Sequence, residues 1–346
     1  MEQKVAIIGF GGVGQGFLTI VEQKKQQLEE RYNRKITIVS IADLYKGSVH
    51  HDDGLSLQDV KASLDVDGTL HYYPKHEGTI TGLSAVETIQ QTNADVIVEL
   101  TFTDVVTGEP AITHTKAALQ AKKHVVMTNK GPIVKAYNEL KQLADENGVS
   151  LLFEGTVMSG TPALRMPLET LKGNDITEIR GIFNGTTNYM LTEMATGKSY
   201  TESLQEAKSK GFAEADPTND VEGYDVQGKV VILANVLLGA NLTREDVPTT
   251  GITNIQKEDI QRANEQQKVW KLLGTIANEQ GIVKGEVKPV LLDKRNPLAQ
   301  IEGATNAVTY SCDLSGDITL IGAGAGIPET GFAVLVDILS LPKTTR

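Results

Sequence analysis

Two stretches of the sequence combine residue types and spacings that chemistry requires. The first is Gly9-Phe10-Gly11-Gly12-Val13-Gly14, a G-x-G-x-x-G that follows the apolar run Val5–Ile8. It opens a segment with helical spacing at Val13, Phe17, Ile20, Val21 and Leu28. In this context Gly9 permits a tight turn, Gly11 lets backbone approach a pyrophosphate, and Gly14 lets a helix lie close to a strand. The unpaired N–H groups and the positive end of the helix then face the phosphates, so the loop reads as a dinucleotide cradle. The next apolar run ends at Ala42-Asp43, further along than the usual spacing of about 20 residues for an acid that meets a ribose hydroxyl. An acid there repels a 2′-phosphate and favours NAD, while Lys46 and Ser48 just beyond it leave NADP open.

The second stretch, Gly211 to Lys229, sets Glu214, Asp216, Asp220, Glu222 and Asp225 ahead of a single lysine. Asp225 and Lys229 are four residues apart and share a helical face. The apolar run Val230–Leu233 after Lys229 predicts partial desolvation, a condition under which a lysine becomes useful for proton transfer. One reading is a general acid/base. The other is a solvated helix start favoured by the helix dipole, with a surface ion pair. Carboxylates grouped around one lysine also suit a zwitterion, which points to an amino-acid-like substrate.

Other reactive types are isolated. The single cysteine, Cys312, rules out an intramolecular disulfide, and no CxxC pair suggests zinc. With no motif histidine or glycine-rich helix start beside it, Cys312 reads as a small buried residue and not as the nucleophile of an acylating semialdehyde dehydrogenase. His50, His51, His71, His76, His114 and His124 show no metal-ligand spacing and read as surface or packing residues. Trp270 with Leu272 and Leu273 reads as core or interface, and Tyr72-Tyr73 as a surface or strand-edge pair.

The elements that must hold these groups alternate in the first half. Strands are expected at Val5–Ile8, Ile36–Ala42, Asp95–Leu100, His124–Thr128 and Ser150–Phe153, with helical segments in between. Pro110 is expected to open one helix and Asn147-Gly148 to end another. After about Gly155 the expected strands are Thr177–Phe183, Glu286–Leu292, Ala307–Tyr310 and Asp317–Ile321, with helices at Thr201–Lys210 and Thr218–Leu238 and a last one at Pro328–Leu339. The fold class is therefore α/β: a Rossmann-type doubly wound parallel sheet with helices on both faces, plus an α+β domain for substrate and dimerisation. The first domain is expected at 1–150, completed by a C-terminal helix at 327–346, and the second at 151–326.

The chain has 346 residues, enough for two domains, with 40% hydrophobic and 22% charged residues. Its net charge of −11 and lack of a basic block argue against nucleic acid and anionic membrane surfaces as partners. The start lacks a signal-peptide pattern, and the apolar stretch Val230–Leu242 is too short to span a bilayer, so a cytoplasmic protein is expected.

Five motifs in order carry a resemblance: Gly9–Gly14; Thr128-Asn129-Lys130-Gly131-Pro132; Asn184-Gly185-Thr186-Thr187-Asn188-Tyr189-Met190-Leu191; Glu214-Ala215-Asp216-Pro217 with Asp220-Val221-Glu222-Gly223; and the loop Gly322–Pro328. On these the chain resembles the homoserine dehydrogenase family over nearly all its length. The resemblance implies reversible oxidation of L-homoserine to L-aspartate 4-semialdehyde with NAD or NADP, toward threonine and methionine. It implies Lys229 as general acid/base and Lys130 beside the nicotinamide and the reacting oxygen, two cations suited to a developing alkoxide. It implies substrate contacts from Glu214, Asp225, Gly185 and Thr186, and cofactor contacts from Thr101, Lys130 and Gly326 besides Gly9, Phe10, Gly11, Gly12, Val13, Gly14 and Asp43. It further implies a sodium ion on main-chain carbonyls of Glu154, Val157, Ser159 and Thr161. The edges of the second domain's sheet suit pairing with another copy, so a homodimer is expected. Ser159 stands where glycine is expected, and Thr128 where many relatives have alanine. Because the sequence stops at Arg346, a C-terminal regulatory domain and threonine feedback through it are not expected. A nucleotide-binding sensor without catalysis is the reading from another class, and the intact set Lys130, Glu214, Asp225 and Lys229 argues against it.

Overall fold

Val5 to Ile8 have no exposed surface, the mark of a strand covered on both faces, and they form the core of β1 (Glu2–Ile8). The computed structural model describes residues 2–342, which divide into two compact units. One runs to Thr156 and resumes at Gly326; the other is Val157–Ala325. The first continues with α1 (Gly12–Tyr32), β2 (Lys35–Asp43), β3 (Gly47–His50), α2 (Leu57–Asp67), β4 (Ile80–Thr81), α3 (Ala85–Gln91), β5 (Val96–Glu99), α4 (Ala111–Gln120), β6 (His124–Met127), α5 (Lys130–Asn147) and β7 (Leu151–Leu152). Its sheet has the order β4-β3-β2-β1-β5-β6-β7. Strands β2, β1, β5, β6 and β7 pair in parallel, as expected. The edge made by β3 and β4 is antiparallel and was not expected. The short connection after Asp43 sets β3 antiparallel to β2, because it can close a hairpin but not the crossover a parallel neighbour needs, while β4 joins β3 antiparallel after the long stretch that contains α2. Pro110 caps α4, and Gly148 ends α5 in the left-handed conformation.

The second unit comprises α6 (Arg165–Thr170), β8 (Ile176–Ile182), α7 (Gly185–Ala195), α8 (Tyr200–Ser209), α9 (Thr218–Val221), α10 (Tyr224–Leu238), α11 (Lys257–Glu265), β9 (Lys268–Glu279), β10 (Ile282–Asp293), β11 (Thr305–Cys312) and β12 (Gly316–Ala323). Its antiparallel sheet has the order β10-β9-β8-β11-β12. Two expectations fail here. The helix expected over Thr218–Leu238 is two helices, because Gly223 at φ 82° turns the chain between them. Strand β9 was not foreseen, since its lysines and central Gly274 mask the β pattern. A Cβ on Gly274 would lie 2.6 Å from Val230, so the missing side chain is what lets α10 seat on the sheet.

The first unit is completed by α12 (Ile327–Ser340), which packs along α1. Ile327 lies over Gly12 and Gly16, where a Cβ would come within 3.0 and 2.5 Å of it, and Gly331 lies against Phe17 and Ile20. Positions 343–346 of the expected final helix are outside the described residues. Tyr72 is exposed as expected, but Tyr73 is buried and its hydroxyl accepts the Ser56 N–H at 3.0 Å. Among the described residues no helix is long and apolar enough to cross a membrane.

Candidate active site

In the first unit the glycine loop is shaped by what it cannot accommodate. Gly9 sits at φ 87°, and a Cβ there would lie 2.6 Å from the backbone of Leu100 and Thr101 at the end of β5. A Cβ on Gly14 would lie 2.9 Å from the Gly9 carbonyl oxygen. At Gly11, by contrast, an added Cβ would meet nothing within 4 Å. Gly11 caps α1 without a side-chain hydrogen bond, so the first-turn N–H groups remain available to an anion. This is a cradle that fits a pyrophosphate. Asp43, at the end of β2, accepts the Phe10 N–H through Oδ2 at 2.7 Å and the N–H groups of Tyr45 and Lys46 through Oδ1. The Lys46 ammonium donates to the Gly68 carbonyl at 3.3 Å and Ser48 is buried, so neither is poised for a 2′-phosphate.

At the carboxyl edge of the same sheet, Thr101 is held by residues that the sequence reading missed. Glu99, fully buried, accepts the Thr101 N–H at 2.8 Å and its hydroxyl through Oε1, while Oε2 pairs with His114 Nδ1 at 2.8 Å. Asn129 donates to the carbonyls of Thr101 and Phe102 at 3.1 and 2.9 Å and caps α5 by accepting the Gly131 N–H. Lys130 is thereby fixed as the first residue of α5. Gly131 is required, because a Cβ there would lie 2.5 Å from the Asp104 carbonyl oxygen. An acid closing an otherwise apolar strand was the available signal for Glu99.

In the second unit Lys229 and Asp225 are both buried on α10, which removes the surface ion-pair reading. The ammonium donates to Asp225 Oδ2 at 2.6 Å and to the Phe183 carbonyl at 2.5 Å. Asn184, the cap of α7, donates to the same Asp225 oxygen at 3.0 Å and to Asp220 Oδ1 at 2.7 Å. Burial, and then the Asp225 charge, hold the Asp220 carboxyl above its ordinary pKa. The carboxylates read as one cluster therefore separate. Asp216 is exposed and accepts the N–H and hydroxyl of Thr218, whereas Asp220 and Asp225 converge on Asn184. Glu214 is exposed and lies outside these bonds. Thr186 donates its hydroxyl to the Phe212 carbonyl at 2.5 Å, which ties the start of α7 to the segment leading to Glu214. Gly185 lies against the Ala304 carbonyl, 2.7 Å from where its Cβ would be.

Of the carbonyl donors expected around a cation, Glu154 belongs to the first unit, where its N–H donates to Asp337 Oδ2 at 2.9 Å. Val157, Ser159 and Thr161 open the second unit, and Met158 and Ser159 there take successive left-handed φ values of 55° and 53° while buried. The donors are hard oxygens, which suit an alkali cation. No cluster of acidic, histidine or cysteine ligands exists among the described residues. Cys312 is buried, and burial pushes its thiol pKa up, the opposite of an activated nucleophile.

A parallel sheet with a pyrophosphate cradle at the end of its first strand, in a chain that also buries a lysine–carboxylate pair, defines a nicotinamide-dependent oxidoreductase of the Rossmann class. A family model described as "Homoserine dehydrogenase, NAD binding domain" matches residues 9–154, and one described as "Homoserine dehydrogenase" matches residues 162–339. The NAD(+)-dependent homoserine dehydrogenase of Pseudomonas canavaninivorans is 43% identical over 99% of this chain and 97% of its own. A solved structure from Archaeoglobus fulgidus superposes with a TM-score of 0.87 at 36% identity, covering 97% of this chain and 98% of that one. A hyperthermophilic archaeal homoserine dehydrogenase mutant in complex with NADPH has a TM-score of 0.83 at 29% identity, covering 98% and 97% of the two chains. The chain belongs to the homoserine dehydrogenase family.

Proposed function

We propose that the protein oxidises L-homoserine reversibly to L-aspartate 4-semialdehyde with NAD, and with NADP less well. The observation that supports this reading is the buried Lys229–Asp225 pair joined to Asn184 at the start of α7. A bound nicotinamide would supply the acceptor for the hydride that leaves C4 of the substrate. Lys229 exchanges the hydroxyl proton, Asp225 and the Phe183 carbonyl hold its ammonium in place, and Lys130 stabilises the developing alkoxide. Glu214, Asp225, Gly185 and Thr186 bind and orient the amino acid. Gly9 to Gly14, Thr101 and Gly326 hold the cofactor. Asp43 disfavours a 2′-phosphate through its charge, as does the engagement of Lys46 elsewhere. A sodium ion on the carbonyls of Glu154, Val157, Ser159 and Thr161 would order that turn and take no part in the chemistry.

The same reading gives a cytoplasmic enzyme whose nucleotide domain, expected at 1–150 and 327–346, is the unit that runs through β7 to Thr156 and resumes at Gly326, and whose substrate and dimerisation domain, expected at 151–326, is Val157–Ala325. It also gives a homodimer, favoured by the exposed Ile321 on edge strand β12. The deciding experiment follows absorbance of reduced nicotinamide with L-homoserine and either nucleotide, for the wild type and Lys229→Ala. Turnover that the substitution abolishes while nucleotide binding persists is the expected result. A wild type that binds nucleotide but turns over neither homoserine nor the semialdehyde would overturn the assignment.

A further inference from the structure

The second unit buries another lysine. Lys271, on β9, is 3% exposed, and its ammonium donates to a neutral amide and a carbonyl: Asn188 Oδ1 at 2.9 Å and the Ile301 carbonyl. Asn188 is itself buried, and its amide nitrogen donates to the carbonyls of Ile301, Gly303 and Thr305 at 3.1, 2.9 and 3.1 Å. The Gly303 N–H donates to Thr192 at 3.1 Å. The strip 301–305 is thereby fastened to the start of α7. Within that strip the Ala304 carbonyl occupies the place that a side chain on Gly185 would need. Lys271, Asn188, the strip and Gly185 form one brace, whose other end is the Asn184 that donates to Asp225.

A buried cation is expensive, and an apolar side chain of similar length would fill the volume without that cost. Burial lowers the Lys271 pKa to about 8, and the charge of exposed Glu302 opposes the shift. Lys268 and Lys294 line the same cavity of about 300 Å³ and add further positive charge. We propose that Lys271 is a positioning residue for the substrate, its ammonium bracing Asn188 and residues 301–305 so that Gly185 and Thr186 are set for homoserine. The proposal rests on the functional reading above.

The test compares wild type, Lys271→Met and Lys271→Arg by steady-state kinetics, nucleotide titration and amide hydrogen exchange. In Lys271→Met, kcat/KM for homoserine should fall ten- to a hundred-fold, the order expected for a misplaced substrate contact, with nucleotide affinity unchanged. Exchange across 184–191 should quicken while that across β1 stays as in the wild type. The wild-type pH profile of kcat/KM for homoserine should carry an inflection near 8. Lys271→Arg keeps a charged donor and should restore part of the loss, with nucleotide affinity unchanged and exchange across 184–191 intermediate, which keeps the test decisive if Lys271→Met does not fold. An unchanged kcat/KM in a folded Lys271→Met, an equal decline for nucleotide and homoserine, or a loss in Lys271→Arg as large as in Lys271→Met would overturn the proposal. A wild type inactive toward homoserine would instead sink the functional reading, and the substrate role of Lys271 with it.

Discussion

Asp43 and Phe10 are joined by a 2.7 Å hydrogen bond from the Phe10 N–H to Asp43 Oδ2, while the second carboxylate oxygen closes the turn into β3. One side chain thus positions the glycine loop from the neighbouring strand. Asp43→Ala leaves the Phe10 N–H, in a fully buried residue, without its acceptor, at a cost of about 1–3 kcal/mol. Urea unfolding should register that loss. Calorimetric titration should show weaker binding of NAD, and a smaller penalty for NADP, because the charge that repels a 2′-phosphate is gone.

The first two glycine requirements of the loop separate in a pair of substitutions. Gly9→Ala forces a side chain into a left-handed backbone, about 1–2 kcal/mol by itself, and drives the Cβ into β5. It should lower the thermal midpoint steeply. Gly11→Ala meets nothing in the protein and should melt like the wild type, yet its methyl occupies the space a pyrophosphate needs, so nucleotide affinity should drop by an order of magnitude or more. Wild-type affinity in Gly11→Ala would remove the cradle from that position.

Glu99 serves the cofactor edge through Thr101. Glu99→Ala strands the half-buried Thr101 N–H together with the buried His114, the latter at a cost of about 1–3 kcal/mol. Glu99→Gln keeps an acceptor for Thr101 and should be milder. Both should raise KM for the nucleotide more than KM for homoserine, as initial-rate measurements with each substrate varied in turn would show.

Asp220 makes a prediction with an unusual sign. A carboxyl whose folded pKa lies above its unfolded one binds more protons when folded, so stability declines as pH rises through that window and the penalty is complete above it. Asp220→Asn should therefore be as stable as the wild type or more so at neutral pH. The advantage should vanish as the medium is acidified below the ordinary aspartate range. Equilibrium urea curves at the two pH values decide it, and a destabilised Asp220→Asn at neutral pH contradicts the assignment of burial as the dominant cause.

Cys312 is buried with its thiol pKa raised, so incubation with iodoacetamide at neutral pH should leave turnover intact. Rapid inactivation with labelling at Cys312 would favour an acyl-enzyme route.

The glycine loop, β1 and Asp43 are legible in the sequence because each depends on neighbours close in the chain: an apolar run, a helical period, an acid at a strand end. Lys229 with Asp225 is legible for the same reason, four residues on one helix. What joins them is not. Asn184 reaches Asp220 and Asp225 from another helix, Lys271 reaches Asn188 from a strand whose own pattern is obscured by Gly274, and Glu99 meets His114 and Thr101 only once β5 and α4 have packed. Such partnerships are set by tertiary distance, which no periodicity along the chain encodes. The antiparallel direction of β3 escaped for a different reason: the length of its connection to β2, and not its composition, decides it.

Helix α12 seats Ile327 over Gly12 and Gly16 of the helix that opens at the glycine loop, although all of Val157–Ala325 is translated between them. During synthesis the ribosome delivers the glycine loop well before its buttress. Gly12 and Gly16 thus gain the side chain that covers them only after the entire second unit has been translated, so the helix of the nucleotide loop is closed by a residue that is local in space and remote in time.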